Sequence, residues 1–296
     1  FVFQSDWKVL PMAAVIAALV SIAIGRSAFV TMEGTQFGTF ALTCVCIWNG
    51  FFNSIQVICR ERPIIKREHR AGLHITSYVL AHMIYQMTLC IAQAIITLSI
   101  CHIVGMPLPN TGVLLPENPA AEIAITLFLV TYAADMMALM VSAIVHTTTS
   151  AMTVMPFLLI IQLLFSGGYF SLPASISGIT NLMISKWGMQ CLCVQGNFNS
   201  LPTYSLWNTL VNVGGDVDLG PFTMKDILAM LQENGGREVI IQKMSELGQK
   251  ADYASTIDNV LGCWGYLVLF AIVFAFVTIA FLEFIDRDRS DEHRVG

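Results

Sequence analysis

Charge is what this sequence has least of. Asp, Glu, Lys and Arg make up 12% of its 296 residues, about half the share found in soluble domains. The few basic residues are too local to form a nucleic-acid-binding surface. No N-x-Ser/Thr sequon occurs, which favours a bacterial source or an unglycosylated loop. No G-x-x-x-x-G-K-[ST] occurs either, so this segment holds no nucleotide by a Walker loop. No charged n-region with a small-residue cleavage site is visible, so no signal peptide is read. No internal repeat or low-complexity tract interrupts the chain. His74, His82 and His102 share one apolar run at separations that give no i, i+4 metal pair, and no Ser/His/Asp set stands out. A membrane-embedded enzyme is therefore disfavoured, no residue is assigned as catalytic, and no metal site is expected.

Long apolar runs are what the chain has instead. Fully 55% of its residues are hydrophobic, and several runs reach the roughly 20 residues that cross a bilayer. The spans read as Val9 to Gly25, Phe37 to Ile58, Leu73 to Gly105, Ala121 to Val145, Met152 to Phe170 and Leu261 to Phe284. "MPLPNTGVLLPENP" stops the third, and "SGGYFSLP" ends the fifth. "ASISGITNLMISKWGMQCLCVQ" is half-apolar and broken by glycines, which fits a re-entrant segment. The expectation is an all-α membrane protein: residues 1–8 as the end of a cytoplasmic connection, 9–170 as spans one to five, 171–196 re-entrant, 197–258 an extracellular helical cap, and 259–296 the sixth span with its tail. Within the cap, Thr223 reads as an N-cap with Asp226 three residues on and Gly235 as a stop. Val239, Ile240, Met244 and Leu247 read as one helical face.

Five of the fifteen Lys and Arg lie in "CRERPIIKREHRAG", Cys59 to Gly72. Pro63 suits a first helical turn, and Ile64 and Ile65 give the segment an apolar side. A short amphipathic helix over 61–72 follows. Arg60, Arg62, Lys66, Arg67 and Arg70 here, with Arg287, Arg289 and Arg294 in the tail, outweigh Arg26 on the opposite side, which places both termini in the cytoplasm. Taken alone, the helix is either an anchor on anionic headgroups or a docking surface for a motor.

The eight cysteines mostly fall in or beside apolar runs and read as packing residues. Cys191, Cys193 and Cys263 offer a disulfide if their side is oxidising, and no zinc pattern completes around them.

The stretch "ERPIIKREHRAGLHITSYVLA" resembles the first intracellular loop of G-subfamily ABC transporters. The likeness continues through "TYAADMMALMVSAIVHTTTSAMTVMPFLLIIQLLFSGGYFSL" and "ISKWGMQCLCVQGNF". It implies a dimer, expected as a homodimer, of six-span domains in the plasma or inner membrane, each tied to an ATP-binding domain. ATP and Mg2+ belong to that domain, and this segment carries no cofactor. The Phe1 start agrees with an upstream ATPase domain, with a separate ATPase subunit as the alternative. The resemblance makes Glu61, Arg62, Lys66, Arg67 and Glu68 coupling residues, with Glu68 foremost. It turns Leu42, Val45, Cys46 and Asn49 of the second span, and Ile160, Leu163 and Leu164 of the fifth, toward a substrate path. Asn49 stands where a multidrug member has a stacking Phe, which argues against a flat aromatic clamp. Where some members place two leucines after "FSG", this chain has Gly168 and Tyr169, so Phe165, Gly168 and Tyr169 are expected at the outer gate.

Two ionisable groups lie inside spans, where they are costly. Asp135 is about 11 residues, roughly 16 Å, from the nearer end of its span, and His82 about nine residues, roughly 13 Å, into its own. Equal depth makes them a candidate pair. Three functions stay open: an ATP-driven exporter of amphipathic or lipidic molecules, a bacterial polysaccharide or peptide exporter with a separate ATPase, and a non-transporting scaffold or sensor whose cap binds a partner.

Overall fold

The structure is a computed structural model that describes residues 9–168, 177–213 and 223–292, excluding the side chains of Lys66, Arg70, Ser177 and 284–292. The order is α1 (Val9–Ile24), α2 (Met32–Ser54), α3 (Val57–Arg70), α4 (Ile75–Val104), α5 (Pro119–Ile144), α6 (Thr148–Leu164), a 3-10 turn (Ser177–Leu182), α7 (Ile184–Gln195), α8 (Ser205–Val213), α9 (Met224–Glu233), α10 (Gly236–Gly248) and α11 (Ile257–Glu292). Among the described residues, four stretches are long and apolar enough to cross a membrane: Met32–Ile65, Ile75–Val104, Pro119–Ile144 and Ile257–Glu283. Val9–Ile24 and Thr148–Leu164 are apolar but shorter.

Helix ends follow local chemistry. The second span begins five residues before the expected Phe37 because Thr31 caps it, its hydroxyl accepting from the Gly34 N–H, with Glu33 in the first turn. Such a cap and acid both offset the unpaired N–H groups of a helix start. Likewise α6 starts before Met152, because the Thr147 hydroxyl accepts from the Ser150 N–H. Helix α4 ends where Gly105 adopts φ +85, a left-handed turn that costs glycine little.

Small residues draw the central helices together. A Cβ on Gly50 of α2 would lie 2.4 Å from the Thr131 carbonyl oxygen and 2.8 Å from the Asp135 nitrogen of α5. On Gly188 of α7 it would lie 2.7 Å from Val130 of α5 and 3.0 Å from Thr43 of α2. Between helices in lipid no hydrophobic effect operates, so backbone proximity of this kind supplies the packing energy. Helix α7 is buried along most of its length and wedges among α2, α5 and α11; residues 169–176, which include the start of the expected re-entrant segment, lie outside the description.

The segment beyond α7 docks on the start of α2. Met32 donates its N–H to the Pro202 carbonyl at 3.0 Å. One Glu33 carboxylate oxygen accepts from the Thr203 hydroxyl and from the Ser205 N–H. Thr223 and Asp226 form the expected capping box, and those hydrogen bonds from Thr223 hold the Asp226 carboxyl below the usual carboxylate range. The expected face of α10 is corrected. Val239 and Leu247 are exposed, while Ile240, Ile241, Met244, Ser245 and Gly248 turn inward. Ser245 accepts from the Thr203 N–H, and Gly248 sits against Met32. These contacts rotate the helix away from its most hydrophobic stripe.

Replacing Gly50 with Leu is expected to destabilise the detergent-solubilised protein by about 1–3 kcal/mol through overpacking, read as a lower thermal midpoint. Gly262→Ala, at a site where nothing lies within 4 Å of the added carbon, should leave the midpoint unchanged. Equal midpoints for both variants would refute the close-packed seam.

Candidate functional site: the docking helix and the polar seam

Helix α3 follows α2 after a short break at Ile55 and Gln56. It begins four residues earlier than expected, at Val57, and Pro63 lies inside it. Its two sides differ in kind. Ile58 and Ile65 are buried in a cluster with Ile75, Val79, Met136, Leu139 and Ala143. Arg60, Ile64, Arg67 and Glu68 are exposed.

The five coupling residues divide between these sides. Arg67 and Glu68 point away from the bundle and are open to a partner. Glu61 and Arg62, expected at the docking surface, are turned toward the bundle. One Glu61 carboxylate oxygen accepts from the Tyr78 hydroxyl at 2.6 Å and lies 3.4 Å from His82 Nε2. The Arg62 guanidinium donates to the Ala143 carbonyl and, at 2.9 Å, to the Val145 carbonyl. The Lys66 side chain lies outside the described residues.

That arrangement corrects the expected pairing of His82 with Asp135. His82 meets Glu61 of α3, with its ring edge-on to Tyr78 at 4.6 Å. Asp135 is fully buried and meets Cys90, whose thiol lies 3.9 Å from Oδ2. Cys90 is eight residues past His82 on α4, about 12 Å along the axis. Similar depth from two helix ends did not place the residues in register.

Asp135 instead belongs to a polar seam that hydropathy alone hid. Asn53 and Gln93 exchange two amide hydrogen bonds, each 2.9 Å, between α2 and α4. The Asn53 amide also reaches the Cys90 sulfur at 3.7 Å. Farther along, Gln162 accepts from the Ser185 N–H at 3.2 Å and joins α6 to α7. Glu122 is fully buried, one oxygen accepting from the Leu114 and Leu115 N–H groups at 3.0 and 3.1 Å. Gln195 donates to Thr126 at 2.8 Å, as does Trp264 at 2.9 Å. The signal in the sequence was isolated Asn, Gln and Glu within apolar runs; such groups are rare in membranes and face other helices.

The expected path residues separate. Leu42, Val45, Cys46 and Asn49 are all buried inside the chain. They do not form an open wall. The opposite face of α2 carries Phe37 and Trp48, both exposed, with Phe52 beside Trp48 at 5.4 Å between rings. On α6, Ile160 and Leu164 are exposed, as is Phe157, and Leu163 is half-buried.

At the far end of α6, Phe165 is half-buried. Gly168 is buried; its carbonyl accepts from the Gln36 side chain, and an added Cβ would run into Met189. Gly168 is thus a close-packing position. Tyr169 lies outside the described residues. Just beyond, Ser166, Asn181, Lys186, Gln190, Lys250 and Tyr253 help line a cavity of about 400 Å³. Burial raises the Tyr253 hydroxyl well above its ordinary range, and the Lys250 ammonium lies 5.0 Å from its ring. Cys191 and Cys263 share a small buried cluster nearby as free thiols. Among the described residues no group of three His, Cys, Asp or Glu could hold a metal ion.

A bundle of apolar helices, four of its described stretches long enough to cross a bilayer, is the architecture of a multi-pass membrane protein. Residues 2–194 match the ABC-2 type transporter family, and the chain belongs to it. It is also 28% identical over 123 residues to the ABC transporter ATP-binding/permease protein Rv1747 of Mycobacterium tuberculosis. That match spans 41% of this chain and 14% of the relative's length. The chain is therefore the membrane component of an ABC-2 type transporter.

The amide pair makes a sharp expectation. Asn53→Leu or Gln93→Leu alone leaves a buried amide unpartnered and should cost about 1–2 kcal/mol, whereas the double replacement should recover most of that loss. Unfolding in mixed micelles measures it. A double variant that loses the sum of the two single effects would show that the pair contributes nothing as a pair.

Proposed function

We propose that this chain is the membrane domain of an ATP-driven exporter of amphipathic, lipidic or hydrophobic molecules, of the G-subfamily type. It works by alternating access as a homodimer of six-span domains, with α1 and α6 as the two short spans. The observation that carries this reading is the two-sided α3: an apolar side set into the bundle and an exposed side bearing Arg67 and Glu68. A lipid anchor would need only the basic residues. A helix that must receive a push also needs the fixed contacts that Glu61 and Arg62 make.

The concentration of Lys and Arg at α3 supports a cytoplasmic location for that end, both termini included, and an outward-facing location for the segment from α8 to α10. Joined ATP-binding and permease parts, as the relative's name records, support a fused nucleotide-binding domain; that domain supplies ATP and Mg2+ chemistry. The exposed apolar faces of α2 and α6 provide contact for the second copy, for lipid and for cargo. Trp48 and Ile160 lead the path, and Phe165 with Tyr169 closes it outward. An aromatic Trp48 beside Phe52 restores the stacking surface that Asn49 lacks.

The test is MgATP hydrolysis by the full-length protein in liposomes, with and without a panel of phospholipids and amphipathic peptides. Hydrolysis should rise with at least one of them. Glu68→Ala should keep basal hydrolysis and lose about tenfold of the transport per ATP, an effect of the size of an ordinary coupling free energy. Unchanged transport per ATP would remove Glu68 from the docking surface.

A further inference from the structure

The last carbonyls of a helix have no N–H of their own helix to accept from, and they carry the negative end of its dipole. In α5, which ends at Ile144, those acceptors are taken by α3. Arg62 donates to the Ala143 and Val145 carbonyls. The Cys59 N–H donates to the Ser142 hydroxyl at 3.1 Å, and its thiol lies 3.0 Å from the Ser142 carbonyl and 3.1 Å from that of Val145. Ile58 and Ile65, on either side of Arg62, pack with Met136, Leu139 and Ala143 of the same helix. One cation, one backbone N–H and one thiol thus close a single helix end, over an apolar contact two turns long.

Ile58 and Ile65 also pack with Ile75 and Val79 of α4, but the polar tie to α4 is of another kind. It is one Glu61 oxygen shared between the Tyr78 hydroxyl and His82, a contact made entirely by side chains. The backbone ends of α5 cannot rotate away from Arg62 without leaving carbonyls unpaired in a low-dielectric setting, at the full desolvation cost of each.

We infer that α3 and the adjoining end of α5 move as one rigid lever, with Arg62 as the positioning residue that passes displacement of the docking helix into the fourth apolar helix. The inference rests on the exporter reading and deepens it, because the expected route ran only through the second and third spans. Arg62 touches neither motor nor cargo. Its guanidinium holds the helix that the motor displaces.

Two spin labels measure the lever directly. Arg60 and His146 are exposed, one on α3 and one just past α5. Full-length protein with Cys44→Ser is labelled at Arg60→Cys and His146→Cys, the other cysteines of this segment being buried. It is compared without nucleotide and trapped with MgATP and vanadate. The distance between the two labels should stay constant, while the distance between the two copies' labels at position 146 changes. Arg62→Gln should broaden the intramolecular distance and lower lipid-stimulated over basal ATP hydrolysis by about fivefold or more, with Arg62→Lys intermediate because a single ammonium matches two carbonyls less well. A 60–146 distance that shifts on trapping in the unaltered lever, or an Arg62→Gln variant that keeps both the narrow distance and the stimulation, overturns the inference and leaves the exporter reading standing. Absence of ATP hydrolysis and of any nucleotide-dependent distance overturns both.

Discussion

Two helix backbones meet at Gly50. There α2 approaches the Thr131 carbonyl and the Asp135 nitrogen of α5 so closely that no side chain fits between. In water, burial of apolar area would hold two such helices together; between helices surrounded by lipid that driving force is absent, and close van der Waals contact replaces it. Gly188 extends the contact to α7. The rest follows from this seam. It turns the Gly50 face of α2 inward against α5. It leaves Phe37 and Trp48 on the outside. It also brings the neighbouring polar groups within reach of one another.

Those polar groups show how specificity is added to packing. An apolar bundle could slide or rotate at little cost, since one Leu is much like another. The Asn53–Gln93 pair, the Gln162–Ser185 contacts and the Glu122 carboxylate on two loop N–H groups are each satisfied in one register only. A shift of one residue would strand buried donors and acceptors. Small residues set how near the helices come, and amides and carboxylates set which way they face.

Helix α3 applies the same physics at the membrane edge. Its exposed side offers Arg67 and Glu68 to a partner, while Glu61 and Arg62 are committed to α4 and α5. Charges that look equivalent along the chain therefore do different work. One pair is held by backbone carbonyls and a tyrosine hydroxyl, and the other is left to be recognised.

The order of apolar helices, the cap at Thr223, the half-apolar stretch before Gln195 and the charged helix were legible from residue type, because each depends on neighbours a few positions away; the cap at Thr31, five residues ahead of the apolar run, was not read. Pairing was not legible. Similar depth joined His82 to Asp135 on paper, while the fold gave His82 to Glu61 and Asp135 to Cys90. The hydrophobic stripe of α10 pointed to Val239 and Leu247, which ended outside because Ser245 and Gly248 seat the helix on Thr203 and Met32. Sequence by itself determined which segments are apolar and where a cap such as Thr223 falls, since solvation and capping are local. Only tertiary structure decided rotation and register, because these depend on how near two backbones can come, and that distance belongs to no single segment.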